Sequence, residues 1–437
     1  MDKVFRTAKE RFDLRLPGQE HVRVTCVTAG METHHDYLYM ETPVFSGDGN
    51  RFVFRQPVRE YHTNSNTIGR NTSADAYWMC DIADGYACVK ICDEPGVKGG
   101  SMDYIGEYFY YISEDTDNNR IVFKRFNIQT LKKDTIAVID TPPCGCVTVP
   151  NHVYPIAAVR RDGKKYCTGA YLADSRYENG PWGVLVFDTG SGELNIVLEG
   201  EDFCNLHPQY AKNAEIQNDL LIQHNHGSFV NKDFSYVPLV SGFGADIHVV
   251  RDDGTDLRTL PWGRDGYERC QGHQAWRGEM MSAVTSTSTD TGRPGEPALY
   301  TLVESEPIRC DENLRHRGLR VQGGYRRMLS AGIERPGFVH FAFSLDGQKF
   351  VSDFIRHDIK HDDPDNVRVV IARIRDNEPE PMKGMTEIVK TLTVWDGTQM
   401  SHPHPFLSPD TKKVLFNAYI GGKPQIHIAE GFDFDAI

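Results

Sequence analysis

The feature of this sequence that most constrains its fold is a short frame that occurs three times. Each copy has an aromatic residue, a serine, a tight turn and then alternating apolar residues: TPVFSGDGNRFVFRQ (42–56), HFAFSLDGQKFVSDF (340–354) and HPFLSPDTKKVLFNA (404–418). This pattern predicts two antiparallel strands joined by a turn. The stretches 154–172 and 207–225 fit the same frame more loosely.

Further alternating runs lie between the frames, and each turns on Gly, Asp or Asn: 77–85, 122–130, 184–192, 247–255, 369–377 and 425–431. Two strand pairs that repeat every roughly 45 to 60 residues are typical of a β-propeller blade. We therefore expect an all-β fold, a seven-bladed β-propeller built as one domain by residues 1–437. The expected blades are 40–98, 99–142, 148–200, 203–262, 268–330, 336–382 and 400–437.

The last of these units is too short to hold four strands. At the other end of the chain, HVRVTCVTA (21–29) is a spare alternating strand. We therefore expect the N-terminal strand to complete the last blade and close the ring. Eight blades, or six blades and an extra hairpin, stay open because the second and fifth units are weakly defined.

An arginine-rich segment interrupts the repeat from about 304 to 337. Its seven arginines are Arg309, Arg315, Arg317, Arg320, Arg326, Arg327 and Arg335. A long insertion in a compact domain is usually functional or disordered. The segment is consistent with a solvated connection and equally with an anion-facing flap over one end of the ring.

Composition excludes several classes of function. The formal net charge is −13, which disfavours a general nucleic-acid binder because phosphate neutralisation rewards a basic surface. No apolar run reaches about eighteen residues, so no membrane span is expected. The N-terminus lacks the apolar stretch and cleavage site of a secretory signal, so we expect a cytoplasmic protein whose ten cysteines are reduced. A homo-oligomer stays possible.

Histidines stand at the start of several expected blades: His207, His273, His340, His402 and His404. In a propeller the first strand of each blade lines the central channel, where ligands bind. Histidines that are distant in the chain are therefore expected to converge on the axis of the ring.

A candidate metal site follows from the stretch TQMSHPHPF. His402 and His404 are two residues apart and point to one face of an extended strand, and Gln399 lies in the turn before them. Two imidazoles and an amide oxygen suit Mn²⁺, Fe²⁺, Ni²⁺ or Zn²⁺. His273, in CQGHQAW, is the best candidate for a fourth ligand from another blade. The alternative for any one of these histidines is an imidazole bonded to a backbone carbonyl.

A second pair, His224 and His226, lies in IQHNHGSF at the end of a strand in the unit that begins with His207. On an extended strand the two imidazoles share a face. The alternative is that they are surface or packing residues. Close to a metal, a neutral imidazole would be a useful base.

Four motifs resemble the oligogalacturonate lyases, polysaccharide lyase family 22: Q-x-x-H-x-H-P at 399–405, G-H-x-x-W at 272–276, H-P-x-Y at 207–210, and YLYMETPVFSGDGNRFVF at 37–54. The resemblance extends over nearly the whole chain. It implies a cytosolic seven-bladed propeller that binds Mn²⁺ through His273, Gln399, His402 and His404. It also implies a catalytic-base histidine, for which His224 is the natural match and His226 is an extra histidine.

The chain departs from the family at two places. The family's segment around the base is C-H-E-G-P-like, whereas this chain has Q-H-N-H-G, and Ala211 stands where the family's substrate-binding arginine was sought. These departures suggest a changed pocket. Strict specificity for digalacturonate, a product of pectin degradation, therefore does not follow from the resemblance.

The implied reaction is β-elimination on a small anionic oligosaccharide of uronic acids. A base removes the C5 proton beside the C6 carboxylate, and the oxygen on C4 leaves to give a 4,5-unsaturated sugar. A divalent cation on the carboxylate would stabilise the developing negative charge, and His224 would be the base. The proton for the leaving oxygen would come from His226, His207, Tyr210 or water, and His207 and Tyr210 would also contact substrate.

Three other functions compete with this interpretation. A TolB-like or WD40-like propeller would bind a partner without catalysis. A metal-dependent propeller could act on a different acidic sugar by elimination or hydrolysis. A prolyl oligopeptidase is disfavoured because the sequence has no G-x-S-x-G nucleophile elbow on a strand-turn-helix.

Overall fold

The computed structural model describes fifteen stretches of the chain, and structural statements below refer to them: 4–31, 39–56, 76–92, 94, 96–143, 145–174, 180–225, 229–230, 236–237, 245–263, 269–289, 299–309, 325–360, 362–393 and 402–437. The described residues form eight antiparallel sheets, of which seven follow one another around a ring and the eighth is a two-stranded hairpin. The fold is a seven-bladed β-propeller, as the sequence predicted.

The first part of the chain contributes β1 (Lys9–Glu10), a 3₁₀ turn (Phe12–Leu14) and β2 (Arg23–Cys26). Blade 1 follows with β3 (Arg51–Gln56), β4 (Ala76–Asp81) and β5 (Ala87–Cys92). Phe45 makes an isolated bridge to Phe52 of β3. The chain around Phe45 therefore takes the innermost position of this blade.

Blades 2 and 3 each have four regular strands. Blade 2 contains β6 (Val97–Met102), β7 (Tyr108–Asp115), β8 (Arg120–Asn127) and β9 (Lys133–Ile139). Blade 3 contains β10 (Ala157–Val159), β11 (Lys165–Tyr171), β12 (Trp182–Asp188) and β13 (Leu194–Gly200). The second unit, which was weakly defined in sequence, is therefore a complete blade.

Blade 4 has β14 (Gln209–Tyr210), β15 (Asp219–His224), β18 (Asp246–Arg251) and β19 (Arg258–Thr259). A separate hairpin of β16 (Phe229–Val230) and β17 (Tyr236–Val237) lies in the chain between β15 and β18. Blade 5 has β20 (Cys270–Trp276), β21 (Ala283–Thr289), β22 (Leu299–Ser305) and β23 (Arg326–Met328).

Blade 6 has β24 (Phe338–Phe343), β25 (Lys349–Ile355), β26 (Val367–Arg373) and β27 (Thr386–Lys390). It therefore extends beyond the expected limit at 382. Blade 7 has β28 (Phe406–Leu407), β29 (Lys413–Ile420) and β30 (Lys423–Glu430) from the end of the chain. Strand β2 pairs with β30, and β1 pairs with β2. The N-terminal strand thus completes the last blade, as predicted.

The arginine-rich segment is only partly a connection. Arg326 to Met328 form the outer strand of blade 5, and residues 310–324 lie outside the described residues. Arg327 donates to the Asp376 carboxylate at 3.0 Å and to main-chain carbonyls of blade 6. This arginine therefore joins two blades and is not a free anion-binding group.

The blades pack face to face, and both faces of a middle strand are buried as a result. In β12 the first six of seven residues are buried, and in β25 the last six of seven are. Strands covered on both faces have continuous apolar runs. Ser352 and Asp353 are exceptions, because they are polar and fully buried in β25. Buried polar groups need partners, and these two find theirs at the channel.

A polar bridge crosses the channel where the first strands end. Tyr104, just after the first strand of blade 2, and Arg161, just after that of blade 3, both donate to Glu279 of blade 5. Arg161 also lies over the Tyr104 ring at 4.3 Å. The contact therefore ties blades 2, 3 and 5 together at this end of the channel.

No helix in the described part of the chain has the length and apolar character needed to span a membrane.

Candidate metal centre

Two histidines reach the channel because the strands that carry them contain β-bulges. The pairing of β20 with β21 shifts between Cys270 and Gln274, around His273. The pairing of β24 with β25 shifts between Phe338 and Phe341, around His340. A bulge bends a strand and re-aims its side chains.

A hydroxyl on the second strand holds each bulge in the same way. Thr285 Oγ1 donates to the His273 carbonyl at 3.1 Å, and Ser352 Oγ donates to the His340 carbonyl at 2.8 Å. The two blades therefore place their histidines by one shared device.

Two other histidines enter the channel by a different route. His207 and His404 each precede a proline, lie two residues before the first strand of their blade and have φ of 45°. A second-strand N–H bonds the carbonyl just before each histidine, with Gln223 donating to Leu206 at 2.7 Å and Asn417 to Pro403 at 2.9 Å. Left-handed backbone is uncommon outside glycine and is concentrated at functional sites.

The histidines of blades 6 and 7 meet in one group, and the histidine of blade 5 lies beside it. One ligand nitrogen from each of His340, His402 and His404 lies within 4.8 Å of the others, and all three residues are buried. The centroid of the His340 ring is 4.2 Å from that of His404 and 4.3 Å from that of His273. We call His273, His340, His402 and His404 the channel histidines. His340 lies between the others.

The orientation of His340 is fixed by a buried carboxylate. Asp353 accepts a bond from the His340 main-chain N–H and lies 2.7 Å from its Nδ1, and both side chains are fully buried. The carboxylate therefore selects the tautomer with a proton on Nδ1, and Nε2 is the nitrogen with a lone pair. Burial raises the pKa of Asp353 to about 7, while the main-chain N–H of His340 opposes that increase.

Burial also favours the neutral form of three of the channel histidines, His273, His340 and His404. It lowers the pKa of His273, His340 and His404 well below the ordinary value for imidazole, and the neighbouring imidazoles add to the effect. Neutral imidazole is the form that binds a metal ion. These three imidazoles therefore exist in the protonation state that a metal site requires.

The donor atoms fit a divalent cation. Nδ1 of His273 is buried and has no hydrogen-bond partner among the described residues, although a buried nitrogen of this kind normally has one. Several neutral imidazoles at one point favour the borderline first-row metals, such as Fe²⁺, Ni²⁺ and Zn²⁺.

Beside this group is a second histidine with a carboxylate partner. Nδ1 of His207 lies 3.0 Å from Glu41, which is buried. The Tyr39 ring lies between the two sets, with its centroid 5.2 Å from that of His207 and 4.7 Å from that of His404. His207 therefore borders the metal group, as expected from its place at the start of blade 4.

His224 belongs to a group of its own at the end of β15. Its Nε2 is 2.8 Å from Asp202, and its Nδ1 is 3.1 Å from Nε2 of His248. Its ring stacks on Phe203 with centroids 4.4 Å apart. Both ring nitrogens of the expected base are thus in contact with other side chains.

Tyr210, which the sequence suggested as a substrate contact, bonds to an aspartate of its own blade. Its hydroxyl donates to Asp252 at 3.3 Å, and the same carboxylate accepts a bond from Arg160. Its role in substrate binding stays a prediction. Gln399 and His226 lie outside the described residues, so their expected roles also stay predictions.

Sequence reasoning placed His340 at the start of a blade but gave it no role, and it missed Asp353, Tyr39 and Glu41. Asp353 lies in the repeated frame at 340–354, and the other two lie in the motif at 37–54. The available signal was a charged or polar residue where the frame expects an apolar one.

The chain is similar to known proteins at two levels. No protein-family model matches it. An oligogalacturonide lyase from Pectobacterium atrosepticum is 26% identical over 193 residues, which make up 41% of this chain and 42% of that protein. The match therefore spans less than half of the relative.

Two solved structures share the architecture along almost the entire chain. An oligogalacturonate lyase from Vibrio parahaemolyticus has a TM-score of 0.64 at 16% identity and covers 98% of each chain. An oligogalacturonate lyase in complex with manganese has a TM-score of 0.67 at 16% identity, covering 98% of this chain and 97% of that one. The structural match establishes the seven-bladed fold. Together with the sequence match, it supports this chain as a divergent relative of the oligogalacturonate lyases.

Proposed function

We propose that the protein is a metal-dependent lyase that cleaves short oligogalacturonides, or related uronic-acid oligosaccharides, by β-elimination. The observation that carries the proposal is the convergence of His340 from blade 6 with His402 and His404 from blade 7, beside the ring of His273 from blade 5. Similarity to oligogalacturonate lyases, one of them in complex with manganese, supports the reaction class.

The resemblance assigns the cation to His273, Gln399, His402 and His404. A divalent cation bound there would supply a Lewis acid that neutralises the substrate carboxylate beside the acidic C5–H. The fold contributes imidazoles whose positions are set by the strands and turns that carry them, so little reorganisation is needed when negative charge develops.

His224 is the proposed base. Asp202 accepts the Nε2 proton, so the basic lone pair is on Nδ1, where His248 is the present neighbour. Substrate must displace the His248 contact for His224 to accept the C5 proton at Nδ1. A positioned base of this kind contributes about 10²- to 10⁴-fold to the rate.

His207 is a second candidate for proton transfer, and its geometry favours it. Glu41 accepts the proton on Nδ1, which leaves the Nε2 lone pair as the acceptor. The Tyr39 ring joins this imidazole to the channel histidines. His207 would therefore accept a proton close to the metal, or return it to the leaving oxygen once protonated.

Elimination or hydrolysis on a different acidic sugar is the alternative function. Ala211, in place of an arginine, is buried at the end of β14, so it cannot bind a substrate carboxylate. A cytoplasmic location and the oligomeric state stay predictions of the sequence.

The test is the absorbance of the unsaturated uronate product. Purified protein, stripped of metal and reloaded with Mn²⁺, Co²⁺ or Zn²⁺, is offered digalacturonate, trigalacturonate and other oligouronides. We expect metal-dependent product from at least one of them. Absence of product from all of them, with metal bound, would refute the lyase assignment.

The same assay assigns the base. His224→Asn and His207→Asn are compared with His21→Asn, which changes an exposed histidine. The variant of the true base retains metal and loses about 10²- to 10⁴-fold in rate. If both variants keep wild-type rates, neither histidine transfers the proton.

A further inference from the structure

We propose that His340 is itself a ligand of the cation, held in place by Asp353, and that the site is therefore a four-imidazole centre that prefers a late first-row metal to Mn²⁺. This inference rests on the metal of the proposed function. It does not rest on the lyase reaction, so the two can fail separately.

The geometry places His340 at the centre of the group. Its ring lies 4.2 Å from that of His404, 4.3 Å from that of His273 and 5.5 Å from that of His402. The ligand nitrogens of His340, His402 and His404 lie within 4.8 Å of one another, so a cation held by His402 and His404 would lie within reach of this imidazole, and His273 is next to it. Since Nδ1 contacts Asp353, Nε2 is the ring nitrogen that we assign to the metal.

Asp353 has the position of a carboxylate that orients a metal-bound histidine. One oxygen lies 2.7 Å from Nδ1 of His340, and the other accepts the main-chain N–H of the same residue at 2.7 Å. Ser352, the neighbour of Asp353 in β25, donates a hydrogen bond to the main-chain carbonyl of His340. Carboxylate partners of this kind set the tautomer of a ligand histidine and increase its basicity.

A purely structural role explains less of what is observed. A buried histidine and aspartate could stabilise the bulge alone. Such a role does not require three further imidazoles around the histidine, each from the channel end of its blade.

Metal preference follows from the donor set. Mn²⁺ suits carboxylate, carbonyl and water oxygens, whereas imidazole nitrogen suits Fe²⁺, Co²⁺, Ni²⁺ and Zn²⁺. Adding a fourth imidazole strengthens binding of Co²⁺ more than binding of Mn²⁺. The ratio of the two affinities therefore reports whether His340 is a ligand.

The first experiment counts imidazoles directly in the full-length protein loaded with Co²⁺. We expect X-ray absorption to give four imidazole ligands, whereas the set implied by the resemblance gives three. A count of three or fewer would overturn the inference, and this measurement needs no variant.

The second experiment compares affinities. Co²⁺ and Mn²⁺ are titrated into metal-free wild type, His340→Gln and Asp353→Asn, with the visible absorption of Co²⁺ as the readout and thermal melting as the check of folding. We expect His340→Gln to weaken Co²⁺ at least tenfold and Mn²⁺ less, and Asp353→Asn to weaken Co²⁺ by about 10- to 100-fold. The matched control is His427→Gln, a fully buried histidine of blade 7 bonded to the Gln425 carbonyl.

The outcomes separate the two proposals. Wild-type Co²⁺ affinity and spectrum in folded His340→Gln would refute His340 as a ligand. A wild type that binds neither metal would refute the metal centre together with this inference. A wild type that binds Co²⁺ through four imidazoles but yields no unsaturated product would support this inference and refute only the lyase reaction.

Discussion

Gly272→Ala tests whether the bulge in β20 is what brings His273 to the channel. Gly272 has φ of +84°, in the left-handed region, and a Cβ added there would lie 3.2 Å from Oε1 of Gln223. The backbone term alone costs about 1–2 kcal/mol for a residue with a side chain. Gln223 is fully buried and donates to Asn225 at 2.9 Å, so it cannot move aside easily.

We expect a total loss of about 2–4 kcal/mol in the free energy of unfolding, the second part being the cost of overpacking. The chain can reduce that loss by flattening the bulge, which turns His273 away from the channel. We therefore also expect Co²⁺ affinity to fall at least tenfold. Urea unfolding and Co²⁺ titration measure the two effects.

The matched control is Gly422→Ala. Gly422 has φ of +82° and no atom within 4 Å of an added Cβ, so it isolates the backbone term of about 1–2 kcal/mol. The reasoning is refuted if Gly272→Ala costs no more than Gly422→Ala and binds Co²⁺ as wild type does.

Three further predictions concern single side chains. His402→Ala should lower the metal content of the purified protein, measured by plasma emission, whereas His224→Ala should keep the metal and lose about 10²- to 10⁴-fold in product formation. Burial lowers the pKa of His427 to about 3. As pH falls, the unfolded chain therefore takes up a proton on this residue before the folded chain does. The folded state keeps its full stability above about pH 6.5 and loses stability as pH falls below that value. Between pH 7 and pH 5 the free energy of unfolding of the wild type should fall by about 2 kcal/mol more than that of His427→Gln. Equal decreases of the two proteins in urea unfolding would contradict this prediction. Glu304→Gln should lower the free energy of unfolding by about 1.5–3 kcal/mol, measured with urea, because Glu304 is a buried partner of Arg277. The second partner of Arg277, Asp376 at 2.7 Å, prevents a larger loss. A loss below about 0.5 kcal/mol would show that Asp376 alone is sufficient.

The fold could be predicted from sequence because a propeller repeats one local pattern. Strand pairs and turns at 42–56, 340–354 and 404–418 are local features, and closure by 21–29 follows from a count of strands. The limits of the blades were less accurate. The fourth strand of blade 6, Thr386–Lys390, lies beyond the expected limit of that unit at 382.

The metal centre could be predicted only in part, and the reason is geometric. Strand reasoning assumes that side chains alternate with period two. A bulge shifts that period by one residue, so the direction of His273 and His340 was not determined by the pattern. The choice of His273 came from its place at the start of the fifth unit and agreed with the resemblance, and nothing local distinguished His340 until its place beside Asp353 was known.

The channel histidines and His207 show how a repeat can build a site from unlike parts. Blades 5 and 6 aim a histidine with a bulge, and blades 4 and 7 aim one with a left-handed residue before a proline. Both devices have a cost in backbone energy, and both occur where the first strand begins. Because each histidine is anchored to its own second strand, the group is held by four blades at once. A change within one blade should therefore weaken the metal site without dispersing the other ligands, and the single-residue variants above rely on that property.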